Sequence, residues 1–423
     1  MKDIILKSIS QLVTPRGNTA KHGKDMNRNL KIRNAAIVIR NGQIVAVGEN
    51  DCVLREYSTA DCEIHDLSGK TVVPGFVDSH THFIFGGYRP EEFMMRLAGA
   101  SYLDIHKQGG GIQSTVMATR ACSEQQLYRD GMCRLKDMLS MGVTTVEGKS
   151  GYGLDEACEI RQLEVMSRLA GKQPVSIVKT YLGAHSIPGE YSGKPEEYVN
   201  FMTETMLPKI KERKLAEFVD IFCEEGVFDT TQANRLLTAA KELGFGVKLH
   251  ADEIVSTGGA ELGVRLGAVS ADHLLMISEE GIRDMAASDT VATLLPCTAF
   301  CLKKAFAPAR KMIDAGCAVA LASDYNPGSC FTNSVPLLFA LAVIYMGMTL
   351  DEALCAFTLN GAAALGRSNM IGTIEVGKQA DITVLDFPEY EYLVYHTGKN
   401  VISEVYKNGI SVFRKDEVKV YGC

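Results

Sequence analysis

The sequence predicts an α/β protein: a (β/α)8 TIM-like barrel with a small β-sandwich domain built from both termini. Three observations predict it. Eight apolar runs, at 72–78, 143–147, 175–182, 218–222, 246–249, 268–271, 291–295 and 318–322, alternate with stretches whose apolar residues recur at helical spacing. Both ends of the chain instead read as short strands joined by turns. Five of the nine histidines (His80, His82, His185, His250, His273) stand at or just past the end of a run. That is the face on which a barrel of this kind gathers its chemistry.

The chain has 423 residues, enough for one barrel-sized domain and a smaller companion. A hydrophobic fraction of 46% with 22% charged residues is ordinary for a soluble globular enzyme. The net charge of −7 argues against a nucleic-acid surface, which needs a clustered basic face. The N-terminus lacks the apolar core of a signal peptide, and no apolar run approaches the length of a membrane span. A cytoplasmic protein is expected. Its twelve cysteines are scattered, Cys297 and Cys301 forming no Cys-x-x-Cys pair, so free thiols are expected and Cys423 receives no role.

In chain order, residues 36–39 and 43–48 flank Asn41-Gly42, a strong hairpin signal. The polar segment 14–31 reads as a solvated loop, with a basic patch as the sharper alternative. Apolar residues at helical spacing mark helices over 156–169 and 231–243. Beyond Gly366, segments 372–377, 380–386 and 401–412, the last broken at Asn408-Gly409, read as strands. The division expected is 1–63 plus 373–423 for the small domain and 64–372 for the barrel.

The first barrel run ends in Asp78-Ser79-His80-Thr81-His82. Side chains two apart on an extended strand share a face, so His80 and His82 can grip one ion. A catalytic zinc site takes about three protein ligands and leaves a position for water. His250 is the third ligand, with His273 and Asp324 at the ends of the sixth and eighth runs completing the group. Imidazoles and a carboxylate suit Zn2+ or Fe2+ alike. A lysine after the fourth run, able to bridge two metals when carbamylated, is missing from Cys223-Glu224-Glu225, so one metal is expected. A metal lowers the pKa of its water from 15.7 to about 7. Glu253, just past His250, is placed to shuttle the proton, with His273 or Asp324 sharing the work. The plain alternatives are a helix cap for Asp324, a core histidine for His273 and a solvated loop residue for Glu253.

On the substrate side, Arg89 in Gly86-Gly87-Tyr88-Arg89 can take a carboxylate by a charge-assisted fork. Tyr152, in Lys149-Ser150-Gly151-Tyr152-Gly153, offers a phenol on a glycine-loosened loop, and His185 follows the third run. Gly109-Gly110-Gly111 lacks the Gly-Lys-Ser/Thr of a P-loop and reads as a flexible loop or lid over the mouth.

The His80-x-His82 strand, the series His250, His273, Asp324 and the 372–386 tail resemble the amidohydrolase superfamily. More narrowly, segments 79–89, 101–112, 149–154, 182–188, 249–253 and 324–328 look like the imidazolonepropionase family of histidine degradation, over nearly the whole chain. The resemblance implies hydrolytic opening of the ring amide of 4-imidazolone-5-propanoate to N-formimidoyl-L-glutamate, with one Zn2+ or Fe ion held by His80, His82, His250 and Asp324. It implies substrate contacts at Arg89, Tyr152, His185 and Glu253, with Asn326, Gly328 and Ser329 meeting the new carboxylate, and a homodimer. The expected partner is a small anionic heterocycle, with neither nucleic acid nor membrane. A deaminase of a nucleobase-like heterocycle, sharing the mononuclear site, is the alternative. One departure stands out: Gly148 replaces the aliphatic residue the family pattern leads one to expect before Lys149-Ser150, which would loosen the Tyr152 loop.

Overall fold

The computed structural model describes residues 3–57, 62–99 and 110–417. His106, Cys423 and the first glycine of the suggested lid lie outside them.

Sixteen strands form two sheets among the described residues. In chain order they are β1 (Ile4–Thr14), β2 (Leu30–Arg40), β3 (Gln43–Glu49), β4 (Glu63–Asp66), β5 (Thr71–Pro74), β6 (Phe76–Asp78), β7 (Val143–Lys149) and β8 (Ser176–Ala184). There follow β9 (Phe218–Cys223), β10 (Gly246–Ala251), β11 (Ser270–His273), β12 (Val291–Leu294), β13 (Val319–Leu321), β14 (Ile382–Leu385), β15 (Ile402–Lys407) and β16 (Ile410–Arg414).

Both termini contribute to the small sheet, as expected. Its order is β16-β15-β14-β5-β1-β2-β3, and β4 also pairs with β1, so the strands join in one hydrogen-bonded path that forks. The fork sits where the β1 register shifts, around Ser8, whose φ of 56° lies in the left-handed region. The β2–β3 turn follows from Asn41 (φ 52°) and Gly42 (φ 80°), the pair of positive angles that a two-residue hairpin needs. Leu12, Ile37, Val72, Ile382 and Tyr406 pack together on one face.

β6 to β13 run parallel in chain order. Hydrogen bonds from Asp324 N–H to the His80 carbonyl (3.0 Å) and from His82 N–H to the Tyr325 carbonyl (2.9 Å) bring the last strand back to the first. The Asp78 carboxylate adds to this seam by accepting from Ser323 N–H and Oγ–H at 2.9 and 2.6 Å. Helices Glu156–Ala170 and Thr230–Glu242 occupy the expected stretches, each opened by an aspartate cap, Asp155 and Asp229.

Three local expectations fail for physical reasons. The run 72–78 serves two sheets: Thr71–Pro74 pairs with β1 and β14, and only Phe76–Asp78 joins the barrel, so the sheets change at Gly75 instead of at residue 64. A Cβ on Gly75 would sit 2.4 Å from Thr144 Oγ1, which shows how closely the crossing chain meets β7. Segment 372–377 forms no strand, because Gly372 and Gly377 (φ 89° and 88°) turn the chain at both ends while Ile374 anchors it in the sheet core. Segment 14–31 is docked, not solvated throughout: Lys21 N–H donates to Asn360 Oδ1 (2.7 Å), Gly23 N–H donates to the Cys317 carbonyl (3.0 Å), and Met26 is buried.

Candidate metal centre

All the predicted site residues meet at the C-terminal mouth of the barrel. His80 and His82 present their Nε2 atoms 3.3 Å apart. Asp324 Oδ1 lies 3.6 Å from the first and 3.4 Å from the second. The ligand atoms of His80, His82 and Asp324 form one group within 4.8 Å, His80, His250 and His273 a second, and His82, His185 and His250 a third. His250 thus belongs to two groups that each share one histidine with the first.

Two of these residues reach the mouth by strained backbone. His273 directly follows Asp272 on β11, and alternation alone would send the two to opposite faces. A φ of 77° at His273 turns its ring inward, 5.4 Å from the His80 ring and 5.1 Å from the His250 ring. Asp324 has φ 55°, in the left-handed region that non-glycine residues adopt uncommonly. It caps no helix: its second oxygen accepts from Thr298 Oγ1 at 2.6 Å.

The donors fit a divalent cation. His80 Nδ1 lies 2.6 Å from Asp272 Oδ2, so it is the donor there and Nε2 keeps its lone pair. That lone pair faces the Asp324 carboxylate and His82 Nε2, so the three donor atoms surround one point that a cation could take. Both ring nitrogens of His250 and of His273 are buried without a hydrogen-bond partner, the opposite of satisfied core histidines, although Asp220 Oδ2 stands 3.0 Å from His250 Nδ1. Burial depresses the pKa of His80, His82 and His273 well below the ordinary value, and that of His185 to about 3, so these rings are neutral, the form that binds metal.

Around the donors stand the other groups. His185 stacks on His82, with centroids 4.9 Å apart and planes at 18°, and its Nδ1 lies 3.1 Å from the Gly151 carbonyl. Tyr152 is buried 5.8 Å from the His82 ring and 5.2 Å from the His185 ring. Glu253 is mostly shielded from solvent, with Oε2 3.5 Å from His273 Nδ1. Burial first, then the Asp324 charge, pushes its carboxyl up to about 8. Among the described residues Arg89 makes one ion pair, with Glu92 at 3.2 Å, and its buried Nε has no partner. The Asn326 side chain folds over the turn behind Asp324, its Oδ1 accepting from the N–H groups of Gly328 and Ser329, both at 2.8 Å.

Sequence reasoning missed the residues that hold this shell. Glu159 on the helix after β7 accepts from the N–H groups of Gly151 (3.1 Å), Gly153 (2.8 Å) and Leu154 (2.9 Å). Gln162 accepts from Tyr152 N–H at 3.3 Å. The Tyr152 loop is therefore fastened, not loosened. Gly148 belongs to packing: a Cβ there would lie 2.8 Å from both Phe83 Cε1 and Met166 Sδ. Gly148→Ala is expected to destabilise the fold by about 1–3 kcal/mol, the usual cost of overpacking, read as a lower midpoint in urea with an unchanged slope. Glu224, at the end of β9, similarly holds the Glu253 loop by accepting from the N–H groups of Glu253 (3.0 Å) and Ile254 (2.8 Å).

The family model described as "Amidohydrolase family" matches residues 71–412, and the chain belongs to the amidohydrolase family. A solved structure with this fold is atrazine chlorohydrolase from Arthrobacter aurescens TC1 complexed with zinc, with a TM-score of 0.72 at 15% identity over 99% of this chain and 97% of that one. Within the family the chain belongs with the imidazolonepropionases. It is 54% identical to that of Clostridium tetani over 98% of this chain and 99% of the relative, and 53% identical to that of Porphyromonas gingivalis over 97% of both.

Proposed function

We propose that this protein hydrolyses the ring amide of 4-imidazolone-5-propanoate to N-formimidoyl-L-glutamate, the reaction its imidazolonepropionase relatives are named for. The convergence of the His80, His82 and His250 rings and the Asp324 carboxylate, in overlapping groups whose donor atoms lie within 4.8 Å of one another, carries the reading. His80, His82, His250 and Asp324 would hold one Zn2+ or Fe2+ ion. Bound there, the ion supplies Lewis acidity that lowers the pKa of a water and polarises a carbonyl.

The remaining steps belong to side chains. Arg89 holds the propanoate by a charge-assisted fork, and the shielded mouth strengthens that pair. Tyr152 and the neutral His185 bound the ring's other side. Glu253 takes a proton from the attacking water at Oε and delivers it to the departing ring nitrogen, for which a raised pKa suits both directions. His273, whose Nδ1 lies 3.5 Å from Glu253, donates to the developing oxyanion. Asn326, Gly328 and Ser329 receive the carboxylate that the ring carbonyl becomes. Among the described residues no helix is long and apolar enough to cross a membrane. We place the protein in the cytoplasm as a homodimer.

The test is the product. Purified protein incubated with 4-imidazolone-5-propanoate should yield a species heavier by one water, N-formimidoyl-L-glutamate, with no ammonia released. Ammonia release from a nucleobase with the imidazolone left intact would contradict the reading and favour the deaminase chemistry of the same site.

A further inference from the structure

Beneath the metal donors the barrel interior holds charge where apolar layers are the rule. Glu147 and Lys149 on β7, Asp220 on β9, Lys248 on β10 and Asp272 on β11 are fully buried. Lys149 Nζ lies 2.6 Å from Asp220, 3.0 Å from Glu147 and 3.7 Å from Asp272. Lys248 Nζ lies 2.7 Å from Glu147 and 3.7 Å from Asp272, and also donates to the Ser79 carbonyl at 3.0 Å. Three carboxyl groups and two lysine side chains thus share the space directly below the donors.

The lattice touches the ion's ligands at two points. Asp272 Oδ2 lies 2.6 Å from His80 Nδ1 in a hydrogen bond, and Asp220 Oδ2 lies 3.0 Å from His250 Nδ1 as a charge contact outside hydrogen-bond geometry. The same Asp220 oxygen faces Lys149, and the same Asp272 oxygen faces both lysines. Each carboxylate is thus pinned from below by an ammonium group and aims its ring from above. An imidazole whose Nδ1–H is engaged presents Nε2 to the metal in one tautomer and one orientation. Removing a partner from a buried ion network leaves an uncompensated charge, so the carboxylates have reason to re-aim when the lysine goes.

We propose that Lys149, acting with Lys248 through Asp220 and Asp272, is a positioning residue that sets the metal affinity of the centre. It contacts neither substrate nor ion; it fixes the two carboxylates that fix His250 and His80. This inference rests on the metal-dependent reading above.

The experiment uses the full-length protein, stripped with a chelator and titrated with Zn2+ against a chromophoric competitor. Wild type should bind one equivalent; if it binds none, the metal-dependent reading itself fails. Lys149→Met, close in length and uncharged, should weaken Zn2+ binding by about 10- to 100-fold. Lys209→Met, which removes an exposed ion pair with Glu156, should leave it unchanged. Because Lys149→Met strands buried carboxylates and risks unfolding, Asp272→Asn is the second variant: it keeps the shape and removes the carboxylate facing His80. It should show a comparable loss of affinity, and histidine NMR of the zinc-free protein should show one ring changing tautomer. Wild-type Zn2+ affinity in a folded Lys149→Met, or an unchanged affinity and tautomer in Asp272→Asn, overturns the proposal.

Discussion

Replacing Glu253 with glutamine is expected to lower kcat by about 10²- to 10⁴-fold, the range a positioned proton carrier supplies, with zinc content unchanged. Glutamine keeps the shape and hydrogen-bonding reach of the side chain and loses only its capacity to take a proton. Its neighbours would stay put, since Glu253 N–H and Ile254 N–H are held by Glu224. The pH profile adds a sign. The ionised carboxylate is the form that accepts the water's proton, and burial has raised the pKa of this group. Activity should therefore fall as pH drops through that pKa, and this acid limb should vanish in Glu253→Gln. Retention of full kcat would remove Glu253 from the proton path.

The second large effect concerns a residue with no side chain. A Cβ on Gly328 would lie 1.4 Å from Arg89 Nη2 and 2.5 Å from its Cζ. The backbone at 328 is held on both sides, its N–H by Asn326 Oδ1 (2.8 Å) and its carbonyl by Arg96 Nη2 (2.7 Å). The arginine has to move, and its flexible stem allows that without unfolding the barrel. Gly328→Ala should then mimic Arg89→Ala. Each is expected to raise KM by roughly 10- to 150-fold, equivalent to about 1.5–3 kcal/mol for hydrogen bonds to a charged group, with a smaller change in kcat and an unaltered melting temperature. A wild-type KM in both variants would mean that the propanoate is anchored elsewhere.

What could be read from the chain and what could not divide along a physical line. Ligand candidates were legible because each stands where an apolar run stops: His80, His82, His250, His273 and Asp324 are signalled locally, and the eight-run rhythm places all of them at one barrel mouth. The charged lattice was not, since Lys149 meets Asp220 across 71 residues and Lys248 meets Glu147 across 101, and nothing local marks them as partners. Gly75 was hidden for another reason. One uninterrupted apolar run satisfies two sheets equally well, and only pairing partners reveal that β5 and β6 belong to different ones. Gly148 shows the limit of reading a departure in isolation, because its meaning depends on Phe83 and Met166 filling the space it leaves.

The most direct test of the account follows imidazolone ultraviolet absorbance with purified protein before and after removal of metal by a chelator. The account predicts that hydrolysis falls to background in the stripped protein and returns when one equivalent of Zn2+ or Fe2+ is restored. Undiminished hydrolysis by protein shown to be free of metal would contradict it.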